Sequence, residues 1–94
     1  MIRVLVTYDI VDDKRRKKVG DILSGYGIRV NESVFECEFK NKSSKLQMIS
    51  KLMKILNKKD DSLRIYNICN NCLQQSAELC DRNSPFSRDS VYFI

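Results

Sequence analysis

An α+β fold is predicted by three features of this 94-residue chain. Residues 2–9 and 28–39 alternate apolar and polar positions with the period of a strand. Residues after Asp12 and after Ser43 place apolar side chains at helical spacing behind a capping residue. Strands and helices then follow one another without an internal repeat or low-complexity tract. A chain this short forms one domain and buries about 60–65% of its unfolded surface. A partner chain would add to its stability.

The elements follow in order. In "IRVLVTYD", Ile2, Val4, Val6 and Tyr8 share one face, and Leu5, Thr7 and Asp9 the other. Apolar residues on both faces suit a strand covered on each side. Asp12 or Asp13 caps a helix that runs to about Tyr26, with Val19, Ile22, Leu23 and Tyr26 facing inward. Gly25 and Gly27 suit its exit. "IRVNESVFECEF" is long enough for two short strands with a turn near Asn31–Ser33. Ser43 or Ser44 caps a second helix ending near Asn57. Its apolar face is Leu46, Ile49, Met53 and Leu56, and Lys45, Lys51, Lys54 and Lys58 fill the polar remainder.

"DDSLRIYNI" at 60–68 is a turn and a strand, followed by a polar connector over 69–90 with a short helical turn at Leu73–Cys80. "VYFI" closes the chain as a last strand. The resulting order is ferredoxin-like, β-α-β-β-α-β with an additional C-terminal strand. Residues 1–68 form the core, and 69–94 the connector and C-terminal strand of the same domain. That fold hosts many unrelated functions and identifies none.

Composition narrows the classes. Lys+Arg 17 against Asp+Glu 12 gives a net charge of +5, which favours a polyanionic partner. There is no histidine, so imidazole acid–base catalysis is excluded. No apolar run approaches the roughly 20 residues of a membrane span, and "MIRVLVTYD" reaches a charge too soon for a signal peptide. A cytoplasmic protein with reduced thiols is expected. Cys69 and Cys72 form one C-x-x-C without a second such pair, and Cys37 sits in a strand pattern. The four cysteines are read as core and loop thiols rather than a zinc site.

One stretch needs its own explanation. "VTYDIVDDKRRKKV" puts Asp9 at a strand tip and five consecutive cations, Lys14 to Lys18, just beyond it. From the residues alone, Asp9 is a strand-ending turn residue. The cations read as a solvated helix face, although so many in the first turns oppose the helix dipole and suit an anion.

"YDI", "RRKKV", "YGIRVNESVFE" and "DDSLRIY" together resemble the CRISPR-associated protein two family, the small subunit of the CRISPR adaptation machinery. The resemblance covers about residues 2 to 68, and "DSVYFI" resembles the family's extra strand. Asn31 departs from the glutamine common there. The likeness implies a homodimer with first-strand tips facing each other and a divalent cation, Mg²⁺ or another, on the two copies of Asp9. It implies a metal-dependent endonuclease on single-stranded RNA or double-stranded DNA in spacer acquisition and antiviral defence. The metal would activate water and stabilise charge on phosphorus, replacing the missing histidine. The alternative it carries is a non-catalytic bridge that holds DNA and docks the CRISPR integrase.

In this likeness Tyr8 is a catalytic candidate beside Asp9, or only core. Arg16, Lys18 and Arg29 are candidates for phosphate contact, with Arg29 reaching the Asp9 groove. Ser33 and Phe35 would orient the site, unless Phe35 is only core packing. Lys14, Arg15 and Lys17 are assigned to solvent, and the lysines of the second helix are either its polar stripe or further phosphate contacts. A small-molecule sensor on the same fold is disfavoured by the basic surface.

Overall fold

A computed structural model describes residues 1–87; the expected closing strand "VYFI" lies outside the described residues. Strands β1 (Ile2–Asp9), β2 (Gly27–Asn31), β3 (Val34–Phe39) and β4 (Ser62–Ile68) form one sheet in the order β2-β3-β1-β4. Every neighbouring pair is antiparallel. Helices α1 (Asp13–Ser24) and α2 (Lys42–Met53) complete the β-α-β-β-α-β order.

The alternation in β1 decides which face is covered. Val4, Val6 and Tyr8 are buried in one cluster with Phe35, Cys37 and Phe39 of β3, Val19 and Leu23 of α1, and Met48 and Leu52 of α2. Both helices therefore pack on the even-numbered face of β1. The odd-numbered residues Arg3, Leu5, Thr7 and Asp9 lie on the opposite face, opposite Ile68, Tyr66, Arg64 and Ser62 of β4. Among the described residues no helix covers that face at the Asp9 end, where Asp9 itself is exposed. Toward β2 and β3 the C-terminal segment crosses it: the Phe86 N–H donates to Glu36 Oε1 at 2.8 Å, and Phe86 is buried. Glu36 pairs with Leu5 across the strands, which fixes its side. Burial raises the Glu36 carboxyl pKa, and the Phe86 hydrogen bond opposes that rise.

Gly27 makes the β2–β3 pairing possible, since a Cβ there would lie 2.1 Å from the Glu36 carbonyl oxygen. The two strands turn at Glu32–Ser33, and a register shift falls between Arg29 and Asn31.

Several boundaries differ from the sequence expectation. Asp12 caps α1, its carboxylate accepting from the Arg15 N–H at 2.9 Å. The helix ends at Ser24 rather than near Tyr26. The N–H groups of Gly25 and Tyr26 bond three residues back, to Ile22 and Leu23, which tightens and closes the last turn. Asn41, not Ser43 or Ser44, caps α2, accepting from the Ser44 N–H at 2.9 Å. That helix stops at Met53, short of Asn57.

The face of α2 is also different. Met48 and Leu52 are buried, Ile49 is partly buried, and Leu46 and Met53 are 53% and 49% exposed. Leu46 and Met53 repeat every seven residues, so periodicity alone could not reject them. Packing onto the sheet selects the neighbouring stripe instead. Lys45 lies on that inner side, where its ammonium reaches Asn67 Oδ1 of β4 at 2.9 Å.

In the connector, the short helix α3 spans Asn70–Gln74 rather than Leu73–Cys80. Cys69 caps it, its sulfur accepting from the Cys72 N–H at 3.3 Å, and Leu73 is buried. Among the described residues no helix is long and apolar enough to cross a membrane.

Candidate functional site

The sheet separates the expected site residues into two groups. Asp9 ends β1 on the open face, beside a cavity of about 330 Å³ lined by Thr7, Tyr8, Asp9, Ser62, Arg64 and Tyr66.

 The Asp9 carboxylate makes no ion pair among the described residues. Tyr8 points the other way, into the helix-covered core, and is 6% exposed. Its ring stacks on Phe35 at 6.2 Å between centroids. Its hydroxyl donates to the Glu32 carbonyl at 3.3 Å and accepts from Arg29 Nη1 at 3.3 Å.

Arg29 belongs to this second group. Its guanidinium lies 4.8 Å above the Phe35 ring and also donates to the Glu32 carbonyl. It passes over α1 where Gly20 has no side chain, for a Cβ there would lie 2.7 Å from Arg29 Nη2. Ser33 supplies its carbonyl to the Tyr8 N–H at 3.1 Å. Tyr8, Arg29, Ser33 and Phe35 are thus brought together, but on the face of the sheet away from Asp9. The expectation that Arg29 reaches the Asp9 groove is corrected for a single chain. The cause is strand parity: Arg29 pairs with Phe35, which shares the helix side with Val6.

The basic cluster divides in the same way. Arg16 pairs with Asp13 one turn away, and that hydrogen bond is the main reason its pKa is raised. Lys18 is exposed and has no carboxylate partner among the described residues. Lys17 reaches Asp21 at 3.5 Å in an exposed pair.

Arg15 does not belong to a free solvated face. It grips Asp61 through Nε at 2.9 Å and Nη2 at 3.1 Å. The Asp61 side chain is 1% exposed and also accepts from the N–H groups of Val11 and Asn57. The Arg15 hydrogen bond is the largest influence that lowers its carboxyl pKa, to about 2. This clamp ties the loop after Asp9 to the loop before β4. The paired acids of "DDSLRIY" were its visible trace, but their partner could not be read from spacing.

Arg64 and Tyr66 were also missed. They lie on β4 opposite Thr7 and Leu5, and so on the Asp9 face. Among the second-helix lysines, Lys51 sits 5.2 Å over the Tyr26 ring, and Lys54 is exposed.

The donor chemistry at Asp9 suits a hard divalent cation. One exposed carboxylate stands beside the hydroxyls of Thr7 and Ser62, and Mg²⁺ commonly takes only one or two carboxylates together with substrate phosphates and water. The residues do not form a closed cage, for no group of three or more His, Cys, Asp or Glu able to hold a metal occurs among the described residues. The cysteines lie elsewhere. Cys37 is buried in the core and burial pushes its thiol up to about 11, while Cys69, Cys72 and Cys80 are exposed.

Comparison with known proteins gives a consistent result. The family model described as "CRISPR associated protein Cas2" matches residues 1–76. A protein of Synechocystis sp. named CRISPR-associated endoribonuclease Cas2 3 is 47% identical over 76 residues, covering 80% of each chain. The structure of Streptococcus pyogenes Cas2 at pH 6.5 superposes with a TM-score of 0.72 at 32% identity, covering 83% of this chain and 99% of that one. A chain of a partial Cas6-RT-Cas1–Cas2 complex superposes with a TM-score of 0.78 at 30% identity, covering 95% and 94%. The matched sequence includes the Asp9 tip, the Arg15–Asp61 clamp and the whole four-stranded sheet, and on that basis the chain belongs to the CRISPR-associated Cas2 family.

Proposed function

We propose that this chain acts as a homodimeric, divalent-metal-dependent endonuclease on RNA or duplex DNA in CRISPR adaptation. The observation that carries this reading is the exposed Asp9 carboxylate, without an ion pair among the described residues, in a cavity bordered by hydroxyls and Arg64. The naming of a 47% identical relative as an endoribonuclease supports it. Two open sheet faces brought together would place two copies of Asp9 near one phosphodiester, and Asp9 would hold a divalent cation there. When bound, that cation would supply Lewis-acid stabilisation of the charge that develops on phosphorus. Exposed cations such as Lys18 would hold the polyanion through its phosphates, without reading its bases. Arg29 and Phe35 would keep the Tyr8 end of β1 fixed, so their effect on Asp9 would be through the strand.

A second reading is a non-catalytic dimer that holds DNA and docks an integrase. The superposition on a chain of a complex that contains Cas1 favours it, as does the presence of one carboxylate, Asp9, among the described residues that line the cavity at the strand tip. Incubation of the purified protein with single-stranded RNA and duplex DNA, in Mg²⁺ or in EDTA, separates the two. Cleavage in Mg²⁺ that stops in EDTA supports the nuclease. Salt-sensitive binding without cleavage in either condition supports the bridge.

A further inference from the structure

We propose that Cys69 and Cys72 form a reversible dithiol–disulfide centre, with Cys69 as the attacking thiol and Cys72 as the resolving one. The inference is separate from the proposed function, and it uses neither Asp9 nor the sheet face that two copies would appose. Cys37 is shut in the core, and Cys80 lies further along the connector. Cys69 and Cys72 are both exposed and are held against each other.

Cys69 leaves β4 with an extended backbone, φ −76° and ψ 164°, and α3 starts at the next residue. That turn folds Cys72 back over Cys69. The Cys72 N–H donates to Cys69 Sγ at 3.3 Å, and the Leu73 N–H donates to the Cys69 carbonyl at 2.9 Å. The pair has the C-x-x-C spacing of dithiol redox motifs. The contacts also distinguish the two thiols. The Cys72 N–H, and then its thiol, favour the thiolate at Cys69 and lower its pKa, while the side-chain bond to Cys69 raises that of Cys72. Access agrees with this division. Cys69 borders a cavity of about 370 Å³ together with Ile2 and Asn67, and Cys72 does not line it. Register puts this end of β4 at the far end of the sheet from Asp9. Ile2 packs against the helix-covered core, and Asn67 accepts from Lys45 of α2, so approach to Cys69 does not require the opposite face to be open.

The co-reactant is a low-molecular-weight disulfide, R–S–S–R. The Cys69 thiolate attacks one of its sulfurs, the R–S–S–R bond breaks, and the departing RS⁻ takes up the proton that Cys69 released. The Cys72 thiolate then attacks Cys69 Sγ, forms the Cys69–Cys72 bond and expels the second RS⁻, which takes up the Cys72 proton. Two protein thiols are oxidised to one disulfide, and one R–S–S–R is reduced to two RSH.

The test incubates the reduced full chain with oxidised glutathione, quenches samples in acid and maps the cysteines by peptide mass analysis. The expected product is a Cys69–Cys72 disulfide within one chain, which dithiothreitol reverses. Cys72→Ser should stop at a glutathione adduct on Cys69. Cys69→Ser should gain its adduct on Cys72 at least several-fold more slowly, and Cys80→Ser should form the bond as wild type does. Adducts at equal rates in the Cys69 and Cys72 variants would overturn the assigned roles. Stable wild-type adducts without the internal bond, or bonds to Cys80 or between copies in its place, would overturn the centre. Cys37 serves as the control for folding: it should stay unmodified, and its modification in step with Cys69 would place the reaction in the unfolded chain and overturn the proposal as well.

Discussion

Asp61 accepts from Arg15 and from the backbone N–H groups of Val11 and Asn57, so one carboxylate fastens three segments around the Asp9 tip. Removing either partner would leave a desolvated group without its match. Asp61→Asn and Arg15→Met should each lower the Tm by several degrees, measured in thermal melts at neutral pH. The pH dependence has a definite sign. The folded pKa is depressed to about 2 from 3.8, so this stability is present above pH 3.8 and fades as pH falls toward 2. Asp61→Asn should flatten that part of the stability curve.

The thiols make a second expectation at the same scale. Cys37 is buried and its pKa is raised to about 11, so a disulfide reagent should label it only after unfolding. Cys69, Cys72 and Cys80 should label in the native protein. Cys69 should react first, because its hydrogen bonds to Cys72, chiefly the backbone one, lower its pKa. Timed labelling with peptide mass analysis reads both orders; prompt modification of Cys37 would contradict the core placement. The sequence pattern of Phe35, Cys37 and Phe39 made Cys37's burial legible. Arg15's partner was not legible, since its clamp joins residues 46 positions apart.

At the scale of elements, α2 shows how two apolar stripes compete for one sheet. Met48 and Leu52 are buried, whereas Leu46 and Met53 lie outward. Met48→Ala should cost about 2–5 kcal/mol, the usual range for truncating a buried methionine or leucine. Leu46→Gln should stay within about 0.5 kcal/mol, as surface changes commonly do. Urea titration of both variants measures the contrast, and a similar loss in each would contradict the assigned face.

The succession of strands and helices along the chain was readable because period-two and period-3.6 patterns differ over these lengths. The caps were harder. Asn41 and Ser43 or Ser44 all suit an N-cap chemically, and only the extended backbone at Asn41 distinguishes it. Strand parity had the largest consequence for the site. Residues 8 and 9 adjoin in sequence, yet the sheet sends one into the core and the other to the open face.

The described residues present a helix-covered face of the sheet and an opposite face that is crossed by the Phe86 segment toward β2 and β3 and open at the Asp9 end. Apposition of two open faces would cover Leu5 and Tyr66, the latter 46% exposed in the single chain. A stable dimer at micromolar concentration is expected in sedimentation equilibrium, and a monomer there would contradict that arrangement. The surplus of cations should make nucleic-acid binding salt-sensitive and nearly independent of sequence.

Asp9 remains the centre of the functional reading, and the decisive measurement follows cleavage and binding together in wild type and Asp9→Asn. With Mg²⁺ present, wild type should cut RNA or duplex DNA, and Asp9→Asn should lose cleavage while binding at least as tightly. Cleavage by Asp9→Asn at the wild-type rate, or wild-type cleavage undiminished in EDTA, would contradict the assignment of Asp9.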